Sequence, residues 1–175
     1  VERAQLSRAK QPRNIDGKED NMLWITNDGR KAALDMRMIF PDSKETPDNK
    51  VNSASIQVHE VWNRTKKEKG TQLVFLDLST PGKETDNTER FDAYNALKNK
   101  LLRKGIPPQE IAFIHDYPKD DQKAILFDKM NSGEIRILIG SSQKMGAGMN
   151  VQKKLKALHH VDVPWRPSDI EQREG

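Results

Sequence analysis

The chain has 175 residues, a formal net charge of +4 and no cysteine. That is the length of about one domain, and it excludes a disulfide scaffold, a thiolate nucleophile and a cysteine-built zinc site. Charged residues make up 32% and hydrophobic residues 34%, and no apolar stretch approaches the roughly 18 residues of a membrane span or the h-region of a signal peptide. The expectation is a soluble, cytoplasmic α/β domain, away from membranes, with a mild preference for polyanions.

In chain order, residues 1–20 are polar and basic, with Pro12, Gly17 and no sustained period, and read as a loose lead-in or linker. Residues 27–40 place Ala33, Leu34 and Met38 at helical spacing behind Asn27 or Asp28 as a cap, which predicts a short helix. Residues 41–50 hold two prolines and no apolar side chain and predict a poorly ordered loop. Next, Val51, Ser55, Val58, Val61, Trp62 and Thr65 share one helical face, and Arg64, Lys66, Lys67 and Lys69 crowd the end of that helix. Cations suit a helix C-terminus through the dipole, so this cluster needs no polyanion to explain it.

From Gly70 onward strands and helices alternate. Residues 72–77 form a buried strand. After a polar turn, Thr88 caps a helix that runs to Lys104, with Phe91, Tyr94, Leu97, Leu101 and Leu102 inward and Gly105 at its end. Residues 111–115 are the second strand. A helix after Pro118 carries Ile125, Leu126 and Met130 and stops at Ser132-Gly133. Residues 135–142 and 157–163 are the third and fourth strands. Ser168 and Glu171 form an S-x-x-E capping box that opens a last helix. This alternation predicts a parallel sheet with right-handed crossovers and helices on both faces.

In such a sheet ligands gather beyond the carboxyl ends of the strands. Asp77 stands after the first strand and His115 after the second. Ser141, Ser142, Lys144, Gly146, Gly148 and Asn150 follow the third, and Asp162, Trp165 and Arg166 the fourth. Hydroxyls, backbone-exposing glycines and cations are the equipment for an oxyanion. Each also has a plainer reading: Gly146 and Gly148 permit a tight turn, and Asp77 caps a loop. His159 and His160 are adjacent in a strand and point to opposite faces, which disfavours a shared metal. No G-x-S-x-G is present. Gly17-Lys18 and Gly82-Lys83 are each followed by Glu, so neither completes a G-x-x-x-x-G-K-[ST] phosphate loop.

RILIGSSQKMGAGMNVQ followed by LHHVDVPWRPSDIEQREG resembles the closing motifs of superfamily-two helicases, most closely the Swi/Snf-like translocases. Ser141, Ser142, Gly146, Gly148 and Asn150 match a Ser/Thr turn with G-x-G-x-N. Asp162, Trp165, Pro167, Glu171, Gln172 and Gly175 match a strand ending in Asp, then W-x-P and E-Q-x-x-G. KGTQLVFLD with Asp77 looks like the family's fourth motif. From residue 20 onward the chain is similar to the second helicase lobe of methylase–helicase fusion proteins of phages and mobile elements, the DarB-type antirestriction proteins among them.

The resemblance implies a RecA-like C-terminal lobe over residues 51–175, with residues 1–50 as linker and helical lead-in. It implies DNA, a first RecA-like lobe and a fused adenine methylase as partners, and ATP with Mg as cofactors that the first lobe would hold. The ATP-cleft candidates are Gly146, Gly148, Asn150, Gln172 and Arg173. The nucleic-acid candidates are Ser141, Ser142, Lys144, Asp77 and His115. The two finger arginines of E-Q-x-x-G-R-x-x-R have no counterpart up to Gly175, and Arg173 occupies an x position, so no catalytic residue is assigned and the chain alone is expected to be inactive. Two other readings fit less of the sequence. A stand-alone nucleotide- or sugar-binding α/β domain explains the glycine turn but not W-x-P with E-Q-x-x-G. A non-catalytic module of a restriction or antirestriction assembly is the third.

Overall fold

The computed structural model describes residues 22–79, 81, 91–145, 149–164 and 166–174. Four strands, β1 (Thr71–Phe75), β2 (Ile111–Phe113), β3 (Ile137–Gly140) and β4 (Leu155–His160), form one sheet in the order β2-β3-β1-β4. All pairings are parallel, with Val74 opposite both Ile139 and His159. β1 and β3 are buried at every residue, because helices cover both faces, and this is why they read as continuous runs without polar alternation. β4 lies at an edge and is only partly buried.

The helices are α1 (Met22–Leu34), α2 (Lys50–Arg64), α3 (Ala93–Arg103), α4 (Asp120–Ser132), α5 (Ser142–Met145) and α6 (Pro167–Glu174). On one face, Val74, Leu76 and Ile139 pack with α2 through Val58 and α3 through Tyr94 and Leu97. On the other, Leu73, Phe75 and Leu138 pack with α4 through Leu126 and Met130, and with Met145 of α5. The α3 crossover therefore covers one face, and the α4 and α5 connections the other. Chain leaving β1 and chain leaving β3 depart toward opposite faces, so the crevice between their carboxyl ends is the switch point at which α/β sheets bind ligands.

The amino end of the sheet is closed by Arg136, whose guanidinium donates to the carbonyls of Gly70 (3.1 Å) and Trp62 (2.7 Å) and to the Thr65 hydroxyl (3.0 Å). Glu110 lies 3.6 Å from the same guanidinium and accepts from the Trp62 indole at 2.6 Å. The Lys66–Lys69 cluster lies at this end, after α2.

Several local expectations are corrected. The helix expected over residues 27–40 begins earlier, so Asn27 and Asp28 sit inside α1. It breaks at Asp35, which caps a separate 3-10 turn, Met36–Met38, by accepting from the Arg37 amide. Thr88 lies outside the described residues, and α3 opens at Ala93 under an Asp92 cap. The second strand stops at Phe113, and His115 belongs to a 3-10 turn, Ile114–Asp116. Ile125 is 57% exposed and not part of the core. Helix α6 begins at Pro167, so Ser168 lies in its first turn and not before it, consistent with proline's preset φ at N1. Residues 41–49 are a loop, but a tethered one: Glu45 pairs with Lys100 and lies 3.6 Å from Arg37, and Asn49 caps α2. The loose lead-in expected over residues 1–20 lies outside the described residues.

Candidate functional site at the carboxyl end of the sheet

Three chain segments meet at the switch point. Asp77 follows β1 by two residues and reaches across the crevice to the start of α5, accepting from the Ser142 amide (2.6 Å) and hydroxyl (2.7 Å). Asp162 follows β4 and turns back on β1, where one carboxylate oxygen accepts from the amides of Asp77 (2.5 Å) and Leu78 (2.7 Å). Arg173 reaches in from α6. It donates to Asp77 (2.7 Å), to the Asp162 carboxylate (3.3 Å) and carbonyl (3.0 Å), and to the Ser142 hydroxyl (2.5 Å). His160 Nδ1 lies 3.2 Å from the same guanidinium, which also sits over the Phe75 ring. All five N–H donors of the arginine fork are thus directed at internal partners.

The electrostatics follow from this packing. Burial acts to raise the Asp77 carboxyl, but the Ser142 donors and Arg173 outweigh it and hold Asp77 below the usual carboxylate range. Asp162 is more deeply enclosed, and burial, helped by the Asp77 charge, pushes it above that range despite the two amides and Arg173. One cation therefore serves two carboxylates, one easily ionised and one reluctant.

The remaining expected residues fall around this knot. Ser141 is half-buried at the mouth of the crevice and Lys144 is exposed on α5. His115 sits on the β2 side, edge-on to Tyr94. Its Nδ1 is buried without a hydrogen-bond partner, and burial, with the Lys144 charge, pushes its pKa down. Asn150 has an exposed side chain, and its carbonyl accepts from Asn131 at 2.7 Å. Gln172 lies in α6. Gly146, Gly148, Trp165 and Gly175 lie outside the described residues. The structure thus joins Asp77, Ser142 and Arg173 directly and leaves Ser141, Lys144 and His115 along one open flank.

Sequence reasoning missed two parts of the site. Asp162 was named as a strand-end residue but not as the hub between β1, β4 and α6. His160 was set aside with His159, and the two do face opposite ways: His160 stacks on Phe75, while His159 Nε2 lies 2.8 Å from the Gln72 side chain on the α2 side. The available signal was the register, since a residue two after a parallel strand falls beside its neighbour's carboxyl end. Among the described residues no group of three His, Asp or Glu side chains could hold a metal ion, and no helix is long and apolar enough to cross a membrane. Compared with family models, curated proteins and solved structures, the chain matches none.

Proposed function

We propose that this chain is the second, RecA-like lobe of an ATP-dependent DNA helicase or translocase, of the kind fused to methylases in mobile elements. The observation that supports this reading is the knot at the switch point. The three segments that resemble the family's motifs, around Asp77, Ser142 and 162–173, are far apart in sequence yet form one hydrogen-bonded unit at the ligand-binding end of the sheet.

In this reading Ser141, Lys144 and His115 line a path for strand phosphates. Such contacts give affinity without sequence choice. Arg173 acts as a positioning residue: its donors are committed to Asp77, Asp162 and Ser142, and it fixes α6 on the sheet. Finger arginines following that helix would then be held at a defined distance from the crevice. The described residues offer no carboxylate set for Mg and no phosphate loop, so the nucleotide's metal and triphosphate would be held by the first lobe, and no chemical step is assigned to this chain.

The test is fluorescence anisotropy with labelled single- and double-stranded oligonucleotides at two salt concentrations, beside an ATPase assay of the chain alone. Binding without sequence preference is expected in the roughly 1–100 micromolar range of nonspecific association, weakening as salt rises, with no ATP turnover. Lys144→Ala should weaken binding several-fold. Lys67→Ala should leave it unchanged, because Lys67 lies at the opposite end of the sheet. Equal losses from both substitutions would refute a site built by the strand-end motifs, and ATP turnover by the chain alone would refute the lobe reading.

A further inference from the structure

The flank on the β2 side differs from the Arg173 knot in having donors to spare. Among the described residues, the Ser141 hydroxyl, the Lys144 ammonium and the His115 ring make no hydrogen bond or ion pair. Packing places the last two side by side. His115 follows Ile114 in the 3-10 turn after β2, and Lys144 precedes Met145 in α5. Ile114 and Met145 both close over Gly140 at the end of β3, where an added Cβ would crowd each of them. The turn and α5 are thereby held together, and the Lys144 charge acts on the His115 ring.

The ring has two unlike ends. Nδ1 is buried without a hydrogen-bond partner. The ring stands edge-on to Tyr94, whose hydroxyl donates to the Leu76 carbonyl at 2.6 Å. Nε2 is not enclosed in this way, and it is the end open to a ligand. We propose that His115 fits this flank to a singly charged phosphodiester: it donates from Nε2 as a neutral imidazole, while the Lys144 ammonium supplies the positive charge. This rests on the strand-phosphate reading above and deepens it, by naming the charge state of the contact and the kind of phosphate taken.

A protonated ring would carry a second N–H at Nδ1, buried with nothing to accept it, and an unsatisfied buried donor is costly, more so when charged. The groups facing the ring do not offset this. From α5, Lys144 opposes a second positive charge. Asp116, in the same turn, favours it but is exposed and screened by solvent. From α3, Tyr94 stays neutral, its pKa raised by burial, and β3 presents no titratable side chain over Ile137–Gly140. Burial is the larger influence and, with Lys144, pushes the His115 pKa down. A phosphate oxygen only accepts, so it selects the tautomer with the proton on Nε2. One ammonium and one neutral donor then match one negative charge. An internal phosphate of a strand carries one, whereas a terminal phosphate carries about −1.5 to −2 at pH 7, and the excess finds no donor here.

The test is fluorescence anisotropy with a labelled twelve-residue oligothymidylate at constant ionic strength, at pH 6.0 and 8.0, either side of the ordinary histidine value of about 6.5. His115→Ala should weaken binding about fivefold, the size of one neutral hydrogen bond, and by the same factor at both pH values. His115→Gln, which keeps an uncharged N–H donor, should recover part of that loss. A 5′-phosphate on the oligonucleotide should change affinity less than about twofold, since a terminal charge adds no new contact. Nitrogen-15 resonances of the wild-type His115 ring, which do not depend on any variant folding, should report a neutral ring at pH 6.0, with its proton on Nε2 in the complex. A cationic contact would make the His115→Ala loss about fivefold larger at pH 6.0 than at pH 8.0, the difference between charged and neutral hydrogen bonds. That result, a cationic ring signal at pH 6.0, or a clear preference for the 5′-phosphorylated strand would overturn the proposal. Binding that Lys144→Ala weakens and His115→Ala leaves unchanged would remove His115 from the flank and leave the lobe reading standing. A wild-type chain that binds no oligonucleotide would remove both.

Discussion

Replacing Arg173 by methionine keeps most of the side chain's length and removes its charge and all its donors. The cost is set by what is left behind. Asp162, with a side chain 2% exposed, loses the one cation that pairs with it among the described residues, whereas Asp77, at 28%, can recruit water. Most of the loss therefore comes from Asp162. Breaking a buried pair by removing one partner costs about 3–5 kcal/mol, a large share of the about 5–15 kcal/mol by which domains are stable. Urea unfolding followed by far-ultraviolet circular dichroism and tryptophan fluorescence reads the difference.

The pH dependence separates this account from a loss of packing. In the wild type Asp77 is held low, so its contribution is present above its unfolded value of about 4 and is lost as pH falls through its lower folded value. Asp162 is held high by burial, so its ionisation works against the fold and acidification relieves it. Without Arg173 both carboxyls move up, and the variant gains more on acidification than the wild type does. The gap between the two proteins should narrow steadily from pH 7 toward pH 4. Adding Asp162→Asn to the variant should recover part of the loss at pH 7. A loss under about 0.5 kcal/mol, the scale of an ordinary surface substitution, or a gap constant across this range, would refute the reasoning.

Two further outcomes are expected. His159 is pushed down to about 4 by burial and by the neighbouring His160, below the unfolded value of about 6.5, so the unfolded chain takes up a proton that the folded chain refuses. Stability should fall by about 2 kcal/mol on acidifying from pH 7.5 to pH 5, and His159→Leu should remove that part of the slope in urea titrations at the two pH values. Gly105 and Gly133 both end helices with positive φ, 88° and 80°. An alanine Cβ at Gly105 would meet open space, whereas at Gly133 it would lie 2.7 Å from Lys69 Cβ and 2.8 Å from the Lys69 carbonyl oxygen. Gly105→Ala should cost about 1 kcal/mol of backbone strain and Gly133→Ala at least about 1 kcal/mol more through the clash, measured by thermal unfolding.

The sheet was legible because its strands are buried on both faces and so show as short β-branched runs separated by helical spacing. The runs at 72–75 and 137–140 needed no tertiary knowledge, but the strands expected over 72–77 and 135–142 were too long: Asp77 lies beyond β1, and Ser142 opens α5. Helix starts were less legible. Asn27 falls inside α1, Asp35 caps only the 3-10 turn that follows it, and Asp92 and Pro167 open helices expected to start at Thr88 and Ser168, so the choice depends on which turn the core admits. Ile125 and Leu126 are indistinguishable by hydropathy, and only the rotation of α4 on the sheet buries one and exposes the other. The site was legible as a set of strand-end residues but not as a network. Asp77, Ser142, Asp162 and Arg173 come together only through the strand order β2-β3-β1-β4, which brings the chain after β4 back beside β1.

That strand order also divides the work at the carboxyl edge. Between β1 and β4 the knot is closed: every donor of Arg173 has an internal acceptor, and a ligand anion there would have to displace a carboxylate already in contact. Between β1 and β2 the edge is open, with Ser141, an exposed ammonium on Lys144 and a buried, unpartnered nitrogen on His115. An anion approaching the sheet therefore meets its donors on the β2 side, while a disturbance on that side reaches α6 through Ser142, which hydrogen-bonds both Asp77 and Arg173. Movement of α5 cannot leave α6 untouched. An oxyanion that drew Ser142 away from Asp77 would strip one acceptor from Arg173 and loosen the helix that follows β4. The link between strand-end turn and final helix is thus built from four hydrogen bonds among Ser142, Asp77 and Arg173.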